Sequence, residues 1–138
     1  MSLYSVMLVD DEEEVIQIII KKLDWASMGF QIVGYAHNGA EALELAEECQ
    51  PDVVMTDIKM PYMDGLELSR RLKERYPSIR IIIFSGFDEF EYAKEAIRIE
   101  VEEYILKPID AGELQELFGR IKKSLDKEID EKRNIDKL

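Results

Sequence analysis

Five short apolar runs, rich in β-branched residues, alternate with five amphipathic stretches along the chain. The runs predict strands at residues 4–10, 31–37, 52–57, 79–85 and 102–107. The amphipathic stretches predict helices at residues 12–24, 39–49, 65–76, 89–100 and from Ala111 onward. Ile81 to Phe84 is apolar at every position, which is typical of a strand that helices cover on both faces. The alternation therefore predicts an α/β fold with a doubly wound parallel sheet.

The start of each predicted helix carries a polar residue three positions before a glutamate. This spacing is typical of a capping box, in which the first side chain accepts a hydrogen bond from the backbone N–H of the third helical residue. We therefore expect these residues to cap the helices, and much of the acidity of the chain to serve the helix starts. The pairs are Asp11/Glu14, Asn38/Glu41, Asp64/Glu67, Asp88/Glu91 and Asp110/Glu113.

Chemically active side chains stand at the carboxyl ends of four predicted strands. Asp10 and Asp11 end strand one, Asp57 ends strand three, Ser85 ends strand four and Lys107 ends strand five. If the strand order is 2-1-3-4-5, these ends converge on one cleft of the sheet. Crowded carboxylates repel one another, and hard oxygen ligands in an open cleft favour Mg²⁺ as the cation that offsets this repulsion.

The charges of this cleft favour the transfer of a phosphoryl group to an aspartate. Three aspartates, one Mg²⁺ and Lys107 sum to zero, and an acyl phosphate adds roughly one negative charge. Asp57 ends a strand that carries the apolar run Val53-Val54-Met55, and it precedes a rigid loop, Ile58-Lys59-Met60-Pro61. We therefore predict Asp57 as the phosphoacceptor, and Asp10 and Asp11 as a metal-binding pair. A helix cap or a surface position explains any one of these residues alone, but not their joint placement.

The composition excludes several other classes of function. The chain has 138 residues, with 30 acidic and 18 basic residues and a net charge of -12. This size indicates one domain, and the acid excess disfavours free-standing binding to nucleic acid or to an anionic membrane. A single cysteine, Cys49, excludes an internal disulfide and a multi-cysteine metal site. No apolar stretch predicts a signal peptide or a membrane span, so we expect a cytoplasmic protein.

The last helix changes character along its length. Its apolar stripe runs from Leu114 to Ile129, whereas residues 120–138 are mildly basic, with seven basic and five acidic side chains. We predict a folded domain at residues 1–123, and a helical linker or tail at residues 124–138 that leads to a further region.

Four motifs make residues 4–124 resemble the receiver domain of bacterial two-component response regulators. They occur in the order and spacing of that family, and they are Val9-Asp10-Asp11-Glu12, Thr56-Asp57-Ile58-Lys59-Met60-Pro61-Tyr62-Met63-Asp64-Gly65, Phe84-Ser85-Gly86 and Tyr104-Ile105-Leu106-Lys107-Pro108. The resemblance implies a flavodoxin-like fold with five strands and five helices. It also implies that Asp57 accepts a phosphoryl group from a sensor histidine kinase, with no enzymatic activity beyond self-phosphorylation and self-dephosphorylation.

The resemblance implies the metal ligands as well. Asp11, Asp57 and the backbone carbonyl of Lys59 would bind Mg²⁺ directly, and Asp10 would act mainly through a bound water. Lys107 would pair with the acidic cluster and then with the phosphoryl group.

The same resemblance implies a switch at the neighbouring strands. Ser85 would donate its hydroxyl to a phosphoryl oxygen, Tyr104 would move into the vacated space, and the peptide bond before Pro108 would be cis. The fourth helix, fifth strand and fifth helix would then form the face that controls an output. Dimerisation at this face on phosphorylation is a hypothesis that the long stripe of the last helix motivates.

Segments 25–30, 85–93 and 101–104 resemble receivers that are joined to an AraC-type helix-turn-helix region. The expected output is therefore transcription regulation, with DNA bound only through a C-terminal domain outside these 138 residues.

Three alternatives share the architecture or the chemistry. A flavodoxin-like electron carrier needs a Gly/Ser/Thr-rich phosphate loop after strand one, where this chain has Asp-Asp-Glu-Glu-Glu. A degenerate receiver that acts only as an interaction module conflicts with the intact aspartates, serine and lysine. A small-molecule phosphohydrolase with an Asp nucleophile is the alternative function, although no residues are left over for a substrate-binding cap.

Overall fold

Five parallel strands form one sheet in the order β2-β1-β3-β4-β5. The computed structural model describes residues 2–86 and 90–136. The strands are β1 (Tyr4–Val9), β2 (Phe30–Ala36), β3 (Val53–Asp57), β4 (Arg80–Ser85) and β5 (Glu103–Leu106). The helices are α1 (Glu13–Lys22), α2 (Gly39–Cys49), α3 (Gly65–Arg75), α4 (Phe90–Ile99) and α5 (Ala111–Asp136), with a 3₁₀ turn at Ala26–Met28. The predicted fold class and strand order are confirmed.

Three of the five predicted side-chain caps are present at the starts of their helices. Asn38, Asp64 and Asp110 each accept a hydrogen bond from the backbone N–H three residues later, at 2.8, 2.8 and 2.9 Å. Each carboxylate or amide oxygen thereby satisfies one of the N–H groups that the first turn of a helix leaves unpaired. The predicted cap at Asp88 lies outside the described residues.

The predicted cap at Asp11 is wrong. Helix α1 begins one residue later than this cap requires, with Glu12 at the N-cap position and no side-chain cap. The Asp10 carboxylate instead accepts the hydrogen bond from the Glu12 backbone N–H, at 2.8 Å. The turn that this bond closes fixes the entry into α1, so Asp11 is not used as a cap.

One face of the sheet packs against helices α2, α3 and α4. Its strand residues alternate along the chain, as the period of a strand requires, with Met7 and Val9 on β1 and Ile81 and Ile83 on β4. The intervening residues Val6, Leu8, Met55, Ile82 and Phe84 are also fully buried and point to the opposite face. Because both faces are buried, the central strands are fixed in register and their carboxyl ends are held at constant positions.

Two compact units make up the chain, Met1–Pro108 and Ile109–Leu138. The second unit contains α5, an uninterrupted helix of 26 residues. Leu114, Leu117, Phe118, Ile121 and Leu125 on this helix are buried, whereas Ile129 is exposed. The division into a domain at 1–123 and a tail at 124–138 stays a prediction. Among the described residues, no helix is long and apolar enough to cross a membrane.

Candidate functional site

The carboxyl end of β1 places one buried and one exposed aspartate next to each other. Asp10 directly follows Val9 and is fully buried, whereas Asp11 is exposed. The Asp10 Oδ1 atom accepts the hydrogen bond from Glu12 N–H, but the buried Oδ2 atom has no hydrogen-bond partner. An unsatisfied carboxylate oxygen in the interior is costly unless a cation or donor reaches it.

Asp57 is the last residue of β3, a strand whose five residues are all buried. Its Oδ1 atom accepts a hydrogen bond from the backbone N–H of Ile58 at 2.8 Å. The carboxylate is therefore held by its own loop, and its second oxygen is left for other partners. Asp57 pairs with Phe84 in the sheet register, which places it beside the end of β4.

Lys107 brings these two carboxylates together. Its Nζ atom lies 3.6 Å from Asp10 Oδ2 and 3.5 Å from Asp57 Oδ2. The ammonium group also lies 5.4 Å from the centre of the Phe84 ring, and the Lys107 backbone N–H donates to the Ser85 carbonyl at 2.8 Å. These contacts fix the end of β5 and hold the Lys107 ammonium group between Asp10, which follows β1, and Asp57, which ends β3. The Lys107–Pro108 peptide bond is cis.

The remaining predicted residues lie on the strands and loop around this group. Ser85 is the last residue of β4 and is fully buried, and Tyr104 on β5 packs partly buried against the core. Lys59 is exposed on the loop after Asp57, and its ammonium group lies 5.6 Å from the centre of the Tyr92 ring of α4. Their predicted roles as phosphoryl-contacting, switch and metal-binding residues stay predictions.

Burial raises the pKa of both inner carboxyl groups. The pKa of Asp10 rises from 3.8 to about 6, mainly because its charged form is desolvated, and the charge of Asp57 adds to this rise. The pKa of Asp57 is also raised by burial, while the nearby Lys107 ammonium opposes the rise. One lysine thus only partly compensates two buried carboxylates, which leaves a site with excess negative charge.

A divalent cation fits this donor set. Asp10, Asp11 and Glu12 each offer a carboxylate oxygen, and these oxygens lie within 4.8 Å of one another. The buried Asp10 Oδ2 atom, which has no hydrogen-bond donor, is an oxygen that a cation would satisfy. Carboxylate oxygens are the ligands that Mg²⁺ and Ca²⁺ prefer, so the chemistry of the site matches the predicted metal.

Two residues beside the site were not predicted from the sequence to contribute to it. Glu12 belongs to the acidic group, although its position before a helix looks like one more acid of a first turn. Gly65 lies where an added Cβ atom would be 1.9 Å from the Asp57 carbonyl oxygen. The Asp-Gly pair at the start of α3 was a visible signal for a close backbone approach, but the partner of that approach depends on the fold.

The buried charge of Asp10 leads to a prediction about stability in the absence of metal. We expect Asp10→Asn to raise the free energy of unfolding by about 1–3 kcal/mol in EDTA at neutral pH. A pKa rise from 3.8 to about 6 corresponds to about 3 kcal/mol at most, and the asparagine amide recovers only part of it. Because the folded-state pKa of Asp10 is raised, its ionised carboxylate lowers the free energy of unfolding above pH 6. This destabilisation disappears as the pH falls toward 4. Urea unfolding at several pH values measures the difference.

Mg²⁺ provides the control for this prediction. If Mg²⁺ binds at this site, it should stabilise the wild type more than a variant that lacks the Asp10 carboxylate, so the advantage of Asp10→Asn should shrink as Mg²⁺ is added. Equal stabilities of the two proteins in EDTA at pH 7 would contradict the assignment of a buried, poorly compensated charge to Asp10.

Comparison with known families and structures places most of the chain in one group. The response regulator receiver domain family matches residues 6–118. The chain is 40% identical to the REC domain of AraT, a response regulator from Geobacillus stearothermophilus, with a TM-score of 0.86 over 91% of this chain and 98% of that one. It is 25% identical to a chain of the CheX-CheY-BeF3-Mg complex from Borrelia burgdorferi, with a TM-score of 0.78 over 86% of this chain and 88% of that one.

Curated relatives are longer than this chain. The chain is 41% identical over 125 residues to the uncharacterized transcriptional regulatory protein YesN of Bacillus subtilis, and this match covers 88% of the chain and 34% of YesN. It is 33% identical over 123 residues to the transcriptional regulatory protein HptR of Staphylococcus aureus, covering 89% of the chain and 48% of HptR. The chain therefore spans between a third and a half of the length of these relatives.

Proposed function

The chain belongs to the response regulator receiver domain family, and on this premise we propose that Asp57 accepts a phosphoryl group from the phosphohistidine of a sensor kinase. The observation that carries the proposal is the position of Lys107, whose ammonium group lies within 3.6 Å of carboxylate oxygens from both Asp10 and Asp57. A positive charge held between two strand ends is suited to stabilise phosphoryl oxygens that arrive at Asp57.

The transfer is a displacement at phosphorus. An Asp57 carboxylate oxygen forms the new P–O bond, and the P–N bond to the donor imidazole breaks, with its electron pair going to that nitrogen. Asp57 Oδ1 is held by the Ile58 N–H, and Lys107 lies beside Oδ2, so we assign Oδ2 as the attacking oxygen. The Lys107 ammonium group then moves from pairing two carboxylates to pairing the phosphoryl group.

A divalent cation supplies positive charge next to the transferring oxygens when it is bound. Asp10, Asp11, Asp57 and the backbone carbonyl of Lys59 would hold it, and the close carboxylate oxygens of Asp10 and Asp11 at the end of β1 support their part in this set. Before a cation binds, the carboxylates repel one another and resist a further negative charge. We therefore propose that the transfer depends on Mg²⁺.

The product of this step is the phosphorylated chain itself, and we propose that the phosphoryl group on Asp57 acts as a signal. We propose that Ser85 and Tyr104, at the end of β4 and on β5, respond to the added charge and shift the population of two states of the neighbouring elements. A region outside these 138 residues would carry the output, and the names of YesN and HptR as transcriptional regulatory proteins support transcription regulation. An AraC-type DNA-binding region and dimerisation on phosphorylation remain hypotheses.

The test is incubation with acetyl phosphate and Mg²⁺, followed by intact mass. We expect one added phosphoryl group per chain, and no adduct when EDTA replaces Mg²⁺. Release of inorganic phosphate over many rapid turnovers without an accumulated adduct would favour the phosphohydrolase alternative. A protein that stays unmodified at saturating Mg²⁺ would overturn the proposed acceptor function.

A further inference from the structure

The acidic group at the end of β1 contains one residue to which the receiver resemblance gives no role. The carboxylate of Glu12 lies within 4.8 Å of oxygens of both Asp10 and Asp11. Its backbone is fixed, because the Glu12 N–H donates to Asp10 Oδ1 at 2.8 Å and the Glu12 carbonyl accepts from Val15 N–H at 3.1 Å. Its side chain makes no cap hydrogen bond with α1, so it is not committed to the helix start.

A second feature of the same group points to a ligand. Asp10 Oδ2 is buried and has no hydrogen-bond partner, and the Lys107 ammonium group at 3.6 Å is too distant to donate a normal hydrogen bond. Since Asp10 Oδ1 is already used by the Glu12 N–H, the unsatisfied oxygen is the one left to face a cation. The turn that occupies Oδ1 is therefore the same turn that sets the position of Glu12.

We propose that Glu12 is a further contributor to the divalent cation site and raises its affinity for Mg²⁺. This proposal rests on the proposed function, which requires that site. Mg²⁺ dehydrates reluctantly and usually keeps several of its bound waters. Glu12 is exposed and its carboxylate lies within 4.8 Å of oxygens of Asp10 and Asp11, so it is placed to accept a hydrogen bond from an Mg²⁺-bound water on the solvent side. Glu12 thereby acts as a positioning residue for the ion.

The matched control is Glu14, two residues further along the chain. Glu12 and Glu14 are both exposed acids at the start of α1, and their glutamine variants lose the same charge. Only Glu12 belongs to the acidic group at the strand end. Glu13 is unsuitable as a control because its carboxylate pairs with His37 at 2.7 Å.

The experiment is isothermal titration of Mg²⁺ into the metal-free chain at about 0.15 M salt. We expect Glu12→Gln to weaken Mg²⁺ binding by about 3- to 10-fold, since partners of metal ligands are often worth at least that much. We expect Glu14→Gln to weaken it by less than about 2-fold, because Glu14 is exposed and outside the acidic group, where salt screens its charge. Circular dichroism in EDTA checks that both variants keep the fold.

The outcomes separate the two proposals. Equal Mg²⁺ affinity of Glu12→Gln and the wild type would overturn the role of Glu12 alone. An equal loss in both variants would also overturn it, because the effect would then be a long-range charge effect. If the wild type itself bound no Mg²⁺, the proposed function would fail first, and the role of Glu12 with it.

Discussion

Replacing Asp57 with asparagine is expected to abolish the phosphoryl adduct that acetyl phosphate forms in the presence of Mg²⁺. The amide has no anionic oxygen to attack phosphorus, so we expect at least about a 100-fold lower yield at equal times. The fold should persist, because the asparagine Oδ1 atom can still accept the hydrogen bond that Ile58 N–H gives to Asp57. Intact mass after a time course of acetyl phosphate treatment measures the effect.

The control for this experiment is Asp64→Asn on the same connection between β3 and α3. Asp64 caps α3 through a hydrogen bond to the Glu67 N–H, and asparagine is an equally good cap. This variant should form the adduct at the wild-type rate. An adduct of wild-type yield on Asp57→Asn would mean that another acid is the acceptor, and peptide mapping would identify it.

The stability of the Asp57→Asn variant tests the same site from another direction. Burial raises the pKa of Asp57, so its charge destabilises the metal-free fold at neutral pH. The variant should therefore be no less stable than the wild type in EDTA while it loses the adduct. A loss of activity together with increased stability indicates that the carboxylate is kept for its chemistry and not for the fold.

Much of the fold could be predicted from the apolar pattern alone. Helix α2 occupies the predicted residues 39–49, and β3 begins one residue after its predicted start. These elements were predictable because buried β-branched runs and helix caps are local signals, and both agree with the tertiary packing. Asp11 is the exception. Its sequence spacing favours a cap, but the turn between Asp10 and Glu12 takes precedence at the end of β1.

The convergence of the site residues could be predicted, but its geometry could not. In a parallel sheet the carboxyl ends of the strands lie at one edge, which brings Asp10, Asp57 and Lys107 together without knowledge of the loops. The buried Asp10 oxygen without a partner, and the inclusion of Glu12 in the acidic group, depend on one hydrogen bond within the β1–α1 turn. A bond of that kind is set by loop conformation, for which the hydrophobic pattern carries no information.

Gly65 is the position where a small change should have the largest effect on folding. It is the first residue of α3, and its backbone N–H donates to the Ile58 carbonyl at 2.8 Å. A Cβ atom there would lie 1.9 Å from the Asp57 carbonyl oxygen, 2.8 Å from its carbon and 3.0 Å from the Ile58 Cα atom. All three are backbone atoms, so no side-chain rotation can relieve the clash.

We therefore expect Gly65→Ala to lower the free energy of unfolding by about 3 kcal/mol or more, as measured by urea unfolding in EDTA. Overpacking against movable side chains typically costs about 1–3 kcal/mol, and a clash with backbone lies at the upper end of that range or beyond it. Gly119→Ala is the matched control. It lies within α5, where an added Cβ atom meets nothing within 4 Å, so the same substitution should stabilise the chain by up to about 1 kcal/mol.

Gly65→Ala should also impair phosphorylation in the molecules that remain folded. To resolve the clash, the start of α3 or the end of β3 has to move, and a movement of the end of β3 displaces Asp57, whose carboxylate lies 3.5 Å from the Lys107 ammonium group. A displacement of about 1 Å at a reacting group can cost about 100-fold in rate, so we expect adduct formation at least about 10-fold slower under conditions where circular dichroism shows a folded chain. Wild-type stability together with a wild-type adduct rate would show that the close approach of Gly65 to Asp57 is not required. A protein that loses both would show that one glycine sets the position of the acceptor and the packing of the helix behind it.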